Sequence, residues 1–113
     1  MKVTLIPSVE FLRQLKRLSK KYKSMGADYR TLKENLLQNP LQGDDLGGGV
    51  RKVRMAIESK GKGKRGGARV LTLSVLVTGD ANVTLLTIYD KGEIENVSDD
   101  YINWLVQQHN AKK

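Results

Sequence analysis

Eight lysines and arginines crowd into residues 51–69, where a single acid, Glu58, opposes them. This segment carries a net charge of +7 in a chain of 113 residues whose formal total is +8. It runs from the end of one predicted strand, through a glycine-rich loop, into the next strand, so the fold must gather these charges at one place. Like charges in a compact loop repel and need a counter-ion. A polyanion is the natural partner of such a surface.

The first forty residues predict a short strand followed by a helical hairpin. Residues 2–6 alternate apolar and polar side chains, and Pro7 ends the strand. Ser8 is a helix cap, and the helix after it has one apolar stripe made by Phe11, Leu15, Leu18 and Tyr22. A second helix ends before Asn39-Pro40 and is marked by Tyr29, Leu32 and Leu36.

The second half predicts three strands and a last helix. Residues 41–49 are predicted to be a loop because three successive glycines suit no regular element. Period-two patterns predict strands from Val50, over 68–77 and over 83–89, with Lys52 and Arg54 on the polar face of the first of them. Ser98 caps the final helix. The predicted fold is therefore α+β: one domain over residues 1–113, in the order β-α-α-β-β-β-α. We expect a small, twisted, mainly antiparallel sheet with the helical hairpin packed on one face and a basic concave site at the other.

The residue inventory excludes most catalytic constellations. The chain has no cysteine, which excludes thiolate chemistry and fits a reducing cytosol. A single histidine, His109, excludes a nuclease that uses a His pair as acid and base. The adjacent acids Asp44 and Asp45 diverge as sequence neighbours do, which argues against a two-metal site. The glycine-lysine loop does not meet the spacing of a nucleotide-binding P-loop.

A basic site of this kind is suited to RNA chemistry as well as to RNA binding. Cleavage by the 2′-OH of the RNA needs a base, cations for the dianionic transition state and an acid for the leaving 5′-oxygen. Crowded lysines and arginines lower one another's proton affinity, so a lysine in such a cluster could act as base or acid while arginines hold the phosphate. From the residues alone, binding without catalysis and binding with catalysis both stay open.

Several stretches resemble the RelE/HigB superfamily of toxins from bacterial type II toxin–antitoxin pairs, and the HigB-like branch in particular. The similarity lies in a KxR strand at 52–54, a GKGKxGGxR loop at 61–69 and the strand sequence LLTIYDK at 85–91. The helical segments FLRQLKRLSKKY and LLQNPLQG also fit, so the resemblance covers nearly the whole chain. It implies a single RelE-like toxin domain that cleaves translated mRNA on the ribosome, without metal or cofactor, and is silenced by a cognate antitoxin.

The resemblance also implies roles for particular residues. Carried over by position, the catalytic candidates are Lys52, Arg54, Arg69 and Lys91. The remaining basic residues of the cluster are expected to bind RNA: Arg51, Lys60, Lys62, Lys64 and Arg65. The chain lacks the downstream tyrosine of the best-known branch, and Tyr89 and Tyr101 are the only hydroxyl-bearing aromatics nearby, so the general base is left open.

The expected partners are mRNA on the ribosome, with contacts to ribosomal RNA, and the antitoxin protein. We expect no membrane association, since no apolar run approaches spanning length, and the expected location is cytoplasmic. Two alternatives remain from the sequence: a non-catalytic basic RNA- or ribosome-binding module, and a degenerate toxin that only binds its antitoxin.

Overall fold

The computed structural model describes residues 1–111, which form five strands and three α-helices. The strands are β1 (Val3–Pro7), β2 (Asp44–Gly47), β3 (Val50–Met55), β4 (Ala68–Val77) and β5 (Asp80–Asp90). The helices are α1 (Val9–Lys21), α2 (Met25–Gln38) and α3 (Asp99–Ala111), and a short 3-10 turn covers Glu58–Lys60.

The strands form one mixed sheet in the order β1-β5-β4-β3-β2. β1 runs parallel to β5, and the other three pairs are antiparallel. The predicted α+β class is therefore confirmed. The predicted element order was wrong by one strand, because the described chain follows β-α-α-β-β-β-β-α.

The additional strand, β2, lies inside residues 41–49, which were predicted to be a loop. This strand was not predicted because the glycines indicated a loop, whereas two of them form the two-residue turn that joins β2 to β3. Gly48 and Gly49 have φ of +62° and +86°, a conformation that few other residues adopt, and Gly47 pairs with Val50 across the turn. The β4–β5 hairpin also turns in two residues, Thr78 and Gly79, so β5 begins three residues earlier than predicted.

Helices α1 and α2 cover one face of the sheet. The Ser8 Oγ accepts a hydrogen bond from the backbone N–H of Phe11 at 3.0 Å, which confirms the predicted cap. The buried helix residues pack on the inward side chains of β3, β4 and β5: Phe11, Leu18, Met25, Leu32 and Leu36 contact a layer that includes Val53, Met55, Val70, Val83, Leu85 and Ile88. This face is the larger part of the core.

Helix α3 covers part of the other face. Ser98 Oγ accepts from the backbone N–H of Tyr101 at 3.1 Å, and Leu105 packs among Val50, Leu71 and Leu86 of the sheet. The ends of β3 and β4 beyond this helix carry Lys52, Arg54 and Arg69 instead of apolar residues. Within residues 1–111, no helix has the length and apolar character needed to cross a lipid bilayer.

Candidate nucleic-acid interface

One row of side chains across the sheet forms the centre of the candidate site. Arg54 of β3 lies directly opposite Arg69 of β4, and Arg69 lies opposite Tyr89 of β5. Side chains opposite one another in adjacent strands share a face, so the three project together on the α3 side. The sheet thus places two guanidinium groups side by side, next to a buried aromatic ring.

A second row, two residues along each strand, completes the floor. Lys52 of β3 lies opposite Leu71 of β4 on one side and opposite Asp44 of β2 on the other. The Lys52 ammonium is 3.5 Å from the side-chain oxygen of Asn96, which belongs to the segment between β5 and α3. That segment therefore reaches over the sheet and forms part of the wall.

These rows and the segment after β5 enclose a small polar cleft, which we call the basic cleft. Its lining is Asp44, Lys52, Arg54, Arg69, Lys91, Glu95 and Asn96. All four catalytic candidates are brought together there, although 39 positions separate Lys52 from Lys91 in the sequence. Four cations face two carboxylates, which leaves an excess of positive charge. Within the described residues, no three His, Asp or Glu side chains are grouped as a metal site.

Arg69 has a second role that sequence reasoning missed. Its Nη1 donates to the carbonyl oxygens of Lys64 at 2.9 Å and Ala68 at 3.1 Å, and its Nη2 donates to that of Arg65 at 3.1 Å. The residue is only 5% exposed. Burial lowers the pKa of Arg69, and the neighbouring Arg54 lowers it further. Arg69 thus holds the shape of the basic loop while its guanidinium lines the cleft.

Lys60 does not join the surface for which it was predicted. Its Nζ lies 2.7 Å from Asp90 Oδ1, and its side chain is 14% exposed whereas that of Asp90 is 1% exposed. A buried carboxylate needs cationic partners, and the fold supplies Lys60 together with Lys21, whose Nζ lies 3.5 Å from Asp90 Oδ2. Lys60 is therefore engaged in an internal ion pair, and its predicted RNA contact stays a prediction.

Asp90 collects further partners from α1 and from its own strand end. The Tyr22 hydroxyl donates to Asp90 Oδ2 at 2.5 Å, and the Gly92 backbone N–H donates to Oδ1 at 2.9 Å. Burial would raise the pKa of Asp90, but hydrogen bonds from Lys60, Tyr22 and the Gly92 amide bring it down to about 2. This cluster fixes the start of the loop against the end of β5, directly before Lys91.

The other loop cations are exposed. Lys62, Lys64 and Arg65 project from residues 61–65, where Gly61 and Gly63 adopt positive φ. Lys64 shares a shallow recess with Arg54, so the loop borders the basic cleft without lining it. These three residues are placed for long-range attraction of a polyanion.

Arg51 lies on the opposite face of β3 from the basic cleft. It is opposite Asp45 of β2, and its Nη2 is 3.8 Å from an Asp45 carboxylate oxygen. Its Nη1 donates to the Gly43 carbonyl at 3.3 Å. The predicted RNA-binding residue Arg51 is thus separated from the catalytic candidates by the sheet itself.

The two tyrosines and the histidine singled out from the sequence do not line the basic cleft: Tyr89, Tyr101 and His109. Tyr89 is 4% exposed, and its buried hydroxyl has no hydrogen-bond partner among residues 1–111. The Tyr101 hydroxyl donates to Glu10 at 2.9 Å and lies 3.1 Å from Thr87 Oγ1. His109 lines a separate groove beside the start of α1.

Gly67 explains why the loop closes on the strands as tightly as it does. A Cβ at this position would collide with the carbonyl oxygen of Met55, and the Gly67 carbonyl accepts from the backbone N–H of Lys91 at 3.1 Å. Only glycine permits this approach. The contact ties β3, the loop and Lys91 together beneath the cleft.

No protein-family model matches this sequence.

Proposed function

We propose that the protein is a ribosome-dependent endoribonuclease toxin of the RelE/HigB superfamily, of the HigB-like branch, and that it cleaves translated mRNA. The observation that carries the proposal is the convergence of Lys52, Arg54, Arg69 and Lys91 in the basic cleft. These are the same four positions for which the family resemblance implies catalytic roles. Strand register brings Lys52, Arg54 and Arg69 to one face of the sheet, and Lys91 joins them from the end of β5.

The charge of the cleft suits phosphoryl transfer by the RNA itself. Attack of the 2′-oxygen on the adjacent phosphorus forms a 2′,3′-cyclic phosphate and breaks the bond to the 5′-oxygen of the next nucleotide. The transition state carries more negative charge than the bound diester, and paired guanidinium groups stabilise it where that charge develops. Arg54 and Arg69, side by side in one row of the sheet, supply such a pair.

The exposed loop extends the same surface outward. Lys62, Lys64 and Arg65 are free to contact phosphates of mRNA or of ribosomal RNA next to the cleft. We therefore assign substrate capture to the loop cations and chemistry to the residues of the basic cleft, which include Lys91 from outside residues 51–69.

The proposed inhibitor is a cognate antitoxin. A cationic cleft attracts anionic segments, so we expect an antitoxin segment rich in Asp, Glu and apolar residues to cover or abut residues 51–69. A complex in which the antitoxin leaves this surface open and undistorted would argue against direct blockade.

The test is cleavage of mRNA on programmed ribosomes, with the 5′ ends of the products mapped. We expect discrete cuts in the translated frame, new 5′-hydroxyl ends, and no comparable cleavage of the same mRNA without ribosomes. Lys52→Ala serves as the impaired control, with cleavage slowed roughly a hundredfold because one charge that stabilises the transition state is removed.

One observation favours the non-catalytic alternative. Three hydrogen bonds commit the Arg69 guanidinium to main-chain carbonyls, two of which lie in the loop, and this is the geometry of a residue that shapes a binding loop. A basic ribosome-binding module would bind ribosomes with the same salt dependence and leave the mRNA intact. A degenerate toxin would bind neither ribosome nor RNA tightly but would retain its antitoxin.

A further inference from the structure

The proposed reaction requires a proton acceptor, which the four residues Lys52, Arg54, Arg69 and Lys91 of the basic cleft do not provide in their charged forms. A guanidinium has no acceptor atom, and an ammonium has none either. The 2′-hydroxyl must nevertheless lose its proton as it attacks phosphorus. Sequence reasoning left this acceptor open, and no histidine lines the cleft.

Two carboxylates line the cleft, Asp44 and Glu95. Within residues 1–111, neither carboxylate lies within 4.0 Å of a Lys, Arg or His nitrogen, whereas Glu10, Asp45, Asp90 and Glu93 are engaged in ion pairs. Their oxygens are therefore not committed to an ion pair in the folded chain. A carboxylate of this kind is a competent general base.

Asp44 is the better placed of the two. It belongs to β2, where strand register places it directly opposite Lys52. Its negative charge acts to raise the pKa of Arg69, against the effect of burial. Glu95 lies in the segment between β5 and α3, which has no regular structure. A base must be held within hydrogen-bond reach of the proton that it removes, and a paired strand holds a side chain more firmly than an irregular segment.

The neighbouring acid shows how strand geometry separates the two aspartates. Successive side chains in a strand point to opposite faces. Asp45 accordingly lies opposite Arg51 and accepts the backbone N–H of Gly47 at 2.8 Å, away from the cleft. The sequence neighbours do diverge, and of the two aspartates only Asp44 lines the basic cleft.

We propose that Asp44 is the general base of the reaction, an assignment that rests on the proposed endoribonuclease function. The Asp44 carboxylate takes the proton of the 2′-hydroxyl as the 2′-oxygen forms its bond to phosphorus. The bond from phosphorus to the 5′-oxygen breaks, and the Lys91 ammonium gives a proton to that leaving oxygen. Exchange with water returns the Asp44 proton to solvent and reprotonates Lys91, so no other reactant is consumed.

The experiment compares three isosteric variants on programmed ribosomes: Asp44→Asn, Asp45→Asn and Glu95→Gln. We expect Asp44→Asn to lower the single-turnover cleavage rate by about a hundredfold or more, in line with general-base catalysis. Its affinity for ribosomes should be unchanged or tighter, because one negative charge is removed from a basic surface. Asp45→Asn, the matched control on the other face of the same strand, should cleave within threefold of the wild type.

A modified substrate separates the base from the acid. When sulfur replaces the 5′-oxygen at the cleavage position, the leaving group departs without a proton. This substrate should restore most of the activity of Lys91→Ala and none of that of Asp44→Asn. Restoration of Asp44→Asn to the same extent would mean that Asp44 is not the base.

The remaining outcomes are decisive as well. Near-normal cleavage by Asp44→Asn, together with a large loss in Glu95→Gln, overturns the assignment and moves it to Glu95, while the proposed function stands. Near-normal cleavage by both variants rules out a carboxylate base. Absence of cleavage by the wild-type protein overturns the proposed function and the inference together. Thermal unfolding of each variant shows whether a lost activity reflects lost folding.

Discussion

Arg54 of β3 and Arg69 of β4 lie directly opposite each other, so two guanidinium groups share one row on one face of the sheet. Like charges in directly opposed positions destabilise a pair of strands. The free protein therefore carries an electrostatic cost at the point where a phosphate would bind. Function and stability oppose each other at this pair.

Arg54→Gln is expected to stabilise the free protein and impair its activity. Relief of the repulsion should raise the free energy of unfolding by about 0.5 kcal/mol, within the range for cross-strand pairs. Cleavage on ribosomes should fall because a guanidinium is lost from the cleft. Chemical denaturation measures the first effect and single-turnover kinetics the second. Arg51→Gln, on the opposite face of the same strand and beside Asp45, is the matched control: it should leave stability unchanged or slightly lower.

Arg69→Lys tests whether the shape of the guanidinium matters beyond its charge. Lysine keeps the charge but lacks the planar, two-pronged guanidinium whose Nη1 and Nη2 donate to carbonyls of residues 64, 65 and 68. Hydrogen exchange at residues 61–67 should become faster, and cleavage should drop by roughly a hundredfold while ribosome binding weakens far less. Arg65→Lys, at a position whose side chain is exposed, should change neither the hydrogen exchange of residues 61–67 nor the rate of cleavage. Wild-type cleavage by Arg69→Lys would mean that Arg69 contributes charge alone.

The salt dependence of ribosome or RNA binding reports the electrostatic footprint of the loop. If about four to six phosphates are contacted, the slope of log affinity against log salt should be about −3 to −5. Lys62→Ala and Lys64→Ala should each reduce the magnitude of this slope by about 1. Both variants should leave the rate of mRNA cleavage in the ribosome-bound complex nearly unchanged. A slope near zero in the wild type would contradict the electrostatic interpretation of residues 51–69.

Asp90 should dominate the acid stability of the protein. Its pKa is about 2 in the folded chain against an ordinary value of 3.8, which corresponds to about 2 kcal/mol of stability. Because the folded pKa is lowered, this stability is fully present above the ordinary value and is lost as the pH falls from about 4 towards 2.

Asp90→Asn should abolish that part of the pH dependence, as measured by urea unfolding at several pH values. The single variant leaves the Lys60 ammonium mostly buried without its partner, so its stability at neutral pH should also fall. Asp90→Asn combined with Lys60→Met removes both charges and should recover part of the loss. If the stability of Asp90→Asn still fell between about pH 4 and 2 as it does in the wild type, other carboxylates would be responsible for the acid sensitivity.

Gly67→Ala and Gly26→Ala should change stability in opposite directions. The new methyl group at Gly67 would meet the Met55 carbonyl, and overpacking of this kind costs about 1–3 kcal/mol. Gly26 lies within α2 with open space around it, so alanine there should stabilise the helix by about 0.5–1 kcal/mol. Thermal unfolding of the two variants checks both signs.

Local patterns predicted the elements whose sequence signals are strong. The bounds of β4 and the stop of α2 before Asn39-Pro40 agree with the structure because a long apolar strand and a proline leave little choice. The alternation in β3 also placed Lys52 and Arg54 on the polar face. β2 was missed, since its residues are two acids, a leucine and a glycine, and its existence depends on pairing with β3.

The sequence predicted that a cluster of basic residues forms the candidate site, but not how the residues of the site are arranged in space. Lys60 and Asp90 are thirty residues apart, so no local pattern shows that one neutralises the other. Asp44, Glu95 and Asn96 enter the cleft through a hairpin and a connecting segment whose paths are set by tertiary packing. Clustering in the sequence identified the cations of residues 51–69, whereas Lys91 was named only through the family resemblance, and the polar residues that are brought to these cations were missed.

The way in which Arg69 holds the loop affects how the loop can be redesigned. The guanidinium contacts main-chain oxygens of residues 64, 65 and 68 and none of their side chains. These three hydrogen bonds therefore do not depend on which side chains occupy positions 64 and 65. We expect the loop to tolerate acids, aromatics or polar residues at these two positions. If the proposed function is correct, positions 64 and 65 offer a place where preference for one RNA surface over another can be altered by selection or by engineering, while the residues of the basic cleft stay in place.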